Sequence, residues 1–83
     1  MARYSVETKL SPEKAIKKAT AYFGEGGLGL EIVEQDPCCA YFEGGGGHVS
    51  VTVGTVEGKK KTTVVLETRE WDYQVRQFMQ EIG

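Results

Sequence analysis

Four consecutive glycines, Gly44 to Gly47, stand between two segments of alternating apolar residues, and this pattern restricts the chain more than any other feature. If the glycines close a hairpin with Glu43 facing His48, then Phe42 faces Val49, Ala40 faces Val51 and Cys38 faces Val53. All six fall on one side of the sheet. A slip of one residue would scatter them over both faces, so the pattern selects this register. A second hairpin is expected at Gly58-Lys59, with Gly leading as a type II′ turn prefers. It sets Val53 against Val64 and Val51 against Leu66. The two hairpins therefore agree on the inward face. Ordering four glycines costs more entropy than a tight two-residue turn, which predicts a mobile hairpin tip.

The flanking segments supply the remaining elements. Tyr4, Val6, Thr8 and Leu10 alternate with Ser5, Glu7 and Lys9, the period of a half-buried strand. Ser11-Pro12-Glu13 reads as a helix start. Ser accepts from an orphan N–H, Pro suits the first helical position, and Glu suits the positive dipole end. Ala15, Ile16, Ala19, Tyr22 and Phe23 recur at helical spacing and should face the core. Gly24 ends the helix, where a left-handed residue is expected. A strand follows from Leu30 to Gln35, broken by Asp36-Pro37. Trp71, Val75, Phe78, Met79 and Ile82 form a closing helical stripe, with Thr68 or Asp72 as its cap.

The resulting order is β-α-β-β-β-β-α in one domain, residues 1–83. It is an α+β chain with a five-stranded, mostly antiparallel sheet and both helices on one face. This order, with "YSVETKLSPEKAIKKA" and the closing helix from Trp71 to Ile82, resembles the TATA-binding-protein-like fold. Relatives of that fold include the larger START and birch-pollen-allergen helix-grip proteins. The resemblance implies a saddle-like sheet with one uncovered face. The chain is too short for the helix-grip cavity and lacks the basic and intercalating aromatic residues of the DNA-binding relatives.

Composition narrows the function classes. The chain has ten Lys and Arg, scattered, against twelve Asp and Glu, with a formal net charge of −2. Duplex nucleic acid demands a basic stripe to neutralise phosphates, so nucleic acid is not the expected partner. No apolar run approaches the ~20 residues that span a bilayer. The first residues hold an Arg but no apolar stretch, so neither a signal peptide nor a membrane is expected. Cys38 and Cys39 are adjacent and cannot staple distant segments. A reducing cytoplasm fits best.

The uncovered face should carry Glu43 with His48, Tyr41 with Ser50, and Cys39 with Thr52, joined by Thr63, Val65, Glu67 and Arg69. Tyr41, Val65 and Val33 are apolar enough to seed a contact. His48, the sole histidine, could serve as an acid or base beside Glu43, although a surface cross-strand pair is the plainer account. In a regular strand Cys38 and Cys39 point to opposite faces, with Cys38 in the core and Cys39 on the open face. They then share no metal, and no zinc-type spacing is present, so no metal or cofactor is expected. "GEGGLG", Gly24 to Gly29, matches a dinucleotide fingerprint only in reverse context, because a helix precedes it and a strand follows. Lys59, Lys60 and Lys61 read as a solvated hairpin tip.

These features favour a binding module over an enzyme. The open face would take a second copy of the chain or a small or acidic ligand, through Tyr41, Cys39, Glu43, His48 and Val65. Catalysis by Glu43 and His48 is the second reading, and nucleic-acid binding the third.

Overall fold

Alternating apolar residues on consecutive segments build the sheet, and two amphipathic helices close over its apolar side. The structure, a computed structural model, describes residues 2–55 and 60–83. The elements are β1 (Ala2–Thr8), α1 (Pro12–Phe23), β2 (Glu31–Gln35), β3 (Cys39–Gly44), β4 (Gly47–Thr55), β5 (Thr62–Arg69) and α2 (Asp72–Ile82). All pairings are antiparallel and the strand order is β1-β5-β4-β3-β2. The α+β class and the element order are those expected from the sequence.

The register is also as expected. Phe42 lies opposite Val49, Ala40 opposite Val51, Val51 opposite Leu66 and Val53 opposite Val64. Val49, Val51, Val64, Leu66 and Phe42 are fully buried. Against them pack Ala15, Ile16, Ala19 and Phe23 of α1 and Val75, Phe78 and Ile82 of α2. Phe23 joins the layers, its ring centroid 5.6 Å from Phe42 and 5.2 Å from Phe78. Truncating one such ring would cost about 3–5 kcal/mol. Three threonines are buried on the same face, each hydroxyl donating to a backbone carbonyl: Thr8 to Ile82, Thr62 to Leu10, Thr68 to His48. A buried hydroxyl left unpaired would be costly, and these are satisfied.

Helix α1 begins as its sequence specifies, with the Ser11 hydroxyl accepting from the Lys14 N–H and Pro12 in the first turn. Its end differs in detail. Gly24 caps α1 through its N–H to the Thr20 carbonyl, but at φ −86°, so the left-handed residues of this loop are Gly26 and Gly29. Neither expected cap serves α2. Trp71 occupies that position without a side-chain bond, Thr68 is committed to β4, and Asp72 accepts from the Tyr4 hydroxyl at 2.8 Å.

The glycine run is tighter than the sequence suggests. Gly44 and Gly47 pair with each other in the ladder, leaving Gly45 and Gly46 as a two-residue turn. Both have positive φ, +59° and +80°, the pair that a type I′ turn requires. The Gly44 carbonyl accepts from the Trp71 indole N–H at 2.9 Å, which ties the hairpin to the start of α2. The expected second turn at Gly58-Lys59, with Lys59 of the lysine tip, lies outside the described residues. Among the described residues, no helix is long and apolar enough to cross a membrane.

Candidate functional site

Because both helices cover one side of the sheet, the other side carries the residues that alternate outward. Strand pairing arranges them in rows running across the sheet. One row reads Glu31, Glu43, His48, Arg69. The next reads Glu34, Tyr41, Ser50, Glu67, Arg3. A third reads Cys39, Thr52, Val65, Ser5, and a fourth Gly54, Thr63, Glu7. The candidate residues Tyr41, Cys39, Glu43, His48 and Val65 therefore share this face. Tyr41, His48, Val65 and Cys39 are half-buried, whereas Glu43 is exposed.

Glu43 and His48 stand opposite each other in the ladder, as expected. They form no ion pair; the imidazole lies instead against the Tyr41 ring, with centroids 5.6 Å apart and planes 13° from parallel. This stacking across a diagonal of the hairpin fixes both rings with little loss of further freedom. A base would also need a partner to orient it and an acceptor position shielded from water. The hairpin supplies a flat aromatic platform.

Charge is divided across the face. On the β2–β3 half stand Glu31, Glu34 and Glu43, and among the described residues none of the three is in an ion pair. Glu31 lies directly opposite Glu43, a like-charge pairing that costs stability in an isolated chain. The cations lie on the other half. Arg3 reaches its cross-strand neighbour Glu67 at 3.9 Å, Lys61 approaches Glu7 at 3.8 Å, and Arg69 stands beside His48 in the first row.

Strand β2 was expected to contribute Val33 to the open face. A bulge between Ile32 and Glu34 displaces it, leaving Val33 49% exposed at the sheet edge and bringing Glu34 opposite Tyr41. This insertion puts the second acid in its row, and no local sequence signal announced it.

Of the two cysteines, Cys39 lies on the open face as strand alternation put it, and Cys38 does not lie where alternation put it. Cys38 is exposed rather than in the core, and its sulfur is bonded to that of Cys39. The physical reason is the turn. Asp36 and Cys39 exchange backbone hydrogen bonds, so Pro37 and Cys38 both lie in the turn and the strand begins at Cys39. Alternation therefore does not apply between the two cysteines, and both sulfurs are taken up in the disulfide. Asp-Pro before the first cysteine was the available signal, since a two-residue turn after Asp36 consumes Cys38 as well. No protein-family model matches the chain, and no curated protein matches its sequence.

Proposed function

We propose that the protein is a small cytoplasmic binding module whose open sheet face packs on a second copy of itself. The observation that carries this reading is the self-complementary order of charges in the rows. A twofold axis running along β4, between two facing sheets, turns β5 over the partner copy's β3 and β1 over its β2. Arg69 of one copy then meets Glu43 of the other, and Arg3 meets Glu34. Tyr41, His48, Thr52 and Val65 fall in the centre. Each charge pair is made twice, as an isologous interface requires. Facing sheets lie ~10 Å apart, a gap that opposed Arg and Glu side chains can bridge. The same carboxylates, in no ion pair among the described residues, would repel nucleic-acid phosphates. A disulfide between adjacent residues closes only a small ring, so it is not the staple of a secreted mini-domain. The β-α-β-β-β-β-α order resembles that of TATA-binding-protein-like sheets, and it likewise leaves one broad surface for contact.

Five strands at ~4.8 Å spacing give a face only about 20 Å wide, at the low end for a stable interface. The dimer should therefore dissociate on dilution and weaken with salt. Sedimentation over a range of protein concentrations tests this. Arg69→Glu and Glu43→Arg should each shift the mass toward monomer, and the double swap should restore the dimer. A monomer at all concentrations, or a double variant no better than either single one, overturns the reading.

A further inference from the structure

The turn between β2 and β3 holds a donor set that meets the open face only at Cys39. Its shape is fixed by backbone bonds: the Asp36 N–H donates to the Cys39 carbonyl at 2.8 Å, and the Cys39 N–H to the Asp36 carbonyl at 3.2 Å. The Asp36 Oδ1 accepts from the Cys38 N–H at 3.0 Å, and the Val53 N–H donates to the Cys38 carbonyl at 2.8 Å. Cys38 is thereby hydrogen-bonded to Asp36 and Val53, and Cys39 to Asp36. The ligand atoms of Asp36, Cys38 and Cys39 all lie within 4.8 Å of one another.

A disulfide normally stabilises by restricting the unfolded chain, and the effect grows with the loop it closes. Here the partners are adjacent, so that contribution is minimal. Cys38 is exposed, so a small thiol can reach it. Two thiolates and a carboxylate are a donor set suited to zinc and similar borderline-soft cations. Bonded to each other, the sulfurs carry no charge and make poor ligands.

We propose that Asp36, Cys38 and Cys39 form a redox-gated site for a thiophilic divalent cation, shut as the disulfide and open as the dithiol. The reductant is a low-molecular-weight thiol of the glutathione class. Its thiolate attacks the Cys38 sulfur, the S–S bond breaks, and Cys39 leaves as a thiolate. A second small thiol attacks the mixed disulfide, releasing Cys38. One protein disulfide and two small thiols become one protein dithiol and one small disulfide, with two electrons passed to the protein. The cation then displaces both thiol protons and binds two sulfurs and a carboxylate oxygen of Asp36, with water completing the tetrahedron. The bond to Oδ1 orients this carboxylate and leaves Oδ2 to bind.

The test is titration with Cd²⁺ of the full chain in both redox states, following the ultraviolet thiolate-to-metal band. The reduced protein should saturate at one cation per chain, and the oxidised protein should show no band. Cys38→Ser and Cys39→Ser should each abolish it. Asp36→Asn should weaken binding by at least about tenfold, the loss caused even by removing an outer-shell partner. Millimolar glutathione should expose two titratable thiols per chain. Absence of the band in the reduced wild-type chain, equal binding in both states, saturation at half a cation per chain, or resistance to glutathione overturns the proposal. The band reports sulfur ligation whether the chain is monomer or dimer, so its outcome is separate from that of the charge swap.

Discussion

At Gly47 the fold leaves no space for a methyl group, because a Cβ there would collide with the Arg69 carbonyl oxygen of the neighbouring strand. At Gly46 nothing lies within 4 Å, and only the φ of +80° disfavours a side chain. The two residues separate two reasons for glycine that a run of four conceals. Gly46→Ala should cost about 1 kcal/mol, the left-handed penalty of an L-residue. Gly47→Ala has to move two backbones apart and should cost about 2–3 kcal/mol, as overpacking does. Urea unfolding of both variants checks the order, and equal losses would contradict it. The turn itself was legible, since glycine between alternating valines reads as a hairpin. The close approach was not, because Arg69 is far along the chain and only the folded sheet brings its carbonyl to Gly47. Cys38 shows the same limit: alternation describes a strand, and the residue belongs to the turn.

Between elements, the start of α2 is where distant parts of the chain are fastened. The Trp71 indole donates to the glycine hairpin, and the Tyr4 hydroxyl of β1 donates to Asp72 Oδ2. That hydrogen bond, then partial burial and the carboxylate's own charge, hold the Tyr4 phenol above its ordinary value near 10. The folded chain thus keeps this proton more tightly than the unfolded chain. The contribution is complete below the unfolded tyrosine pKa of ~10 and is lost as pH rises through the higher folded value. Unfolding free energy measured between pH 9 and pH 12 (about the range where phenols ionise) should fall, and Tyr4→Phe should flatten that part of the profile. A profile unchanged by the substitution would show that Tyr4 is not its source. Ser11 was legible as a cap because its partner is three residues away. Asp72 was not legible, because its partner is 68 residues away.

Over the whole molecule, the placement of both helices on one side leaves a sheet face that is acidic on β2 and β3 and carries both signs on β5 and β1. Most of that face follows from two hairpin registers, so Tyr41, Cys39, Glu43, His48 and Val65 were legible as neighbours on one surface. The acidic half was not, because it depends on the β2–β3 register and on the bulge that brings Glu34 opposite Tyr41. Bulges answer to the twist and pairing of a whole sheet edge, for which a five-residue strand holds little local signal.

Strand β2 also differs from its neighbours in that every one of its residues is exposed, with Ile32 at 38% and Val33 at 49%. Detaching it would uncover little apolar surface, so the cost of opening it lies well below that of global unfolding. Its amide protons should exchange with solvent through this local route, at rates nearly independent of mild denaturant. Those of β4, buried in mid-sheet, should exchange only when the whole chain opens. Native-state hydrogen exchange resolves the two classes, and matched protection in β2 and β4 would contradict it. The turn bearing Asp36 is hinged to this same loose strand. A ligand held there would slow exchange in β2 first, so protection at Ile32 and Val33 would report occupancy at the cysteines.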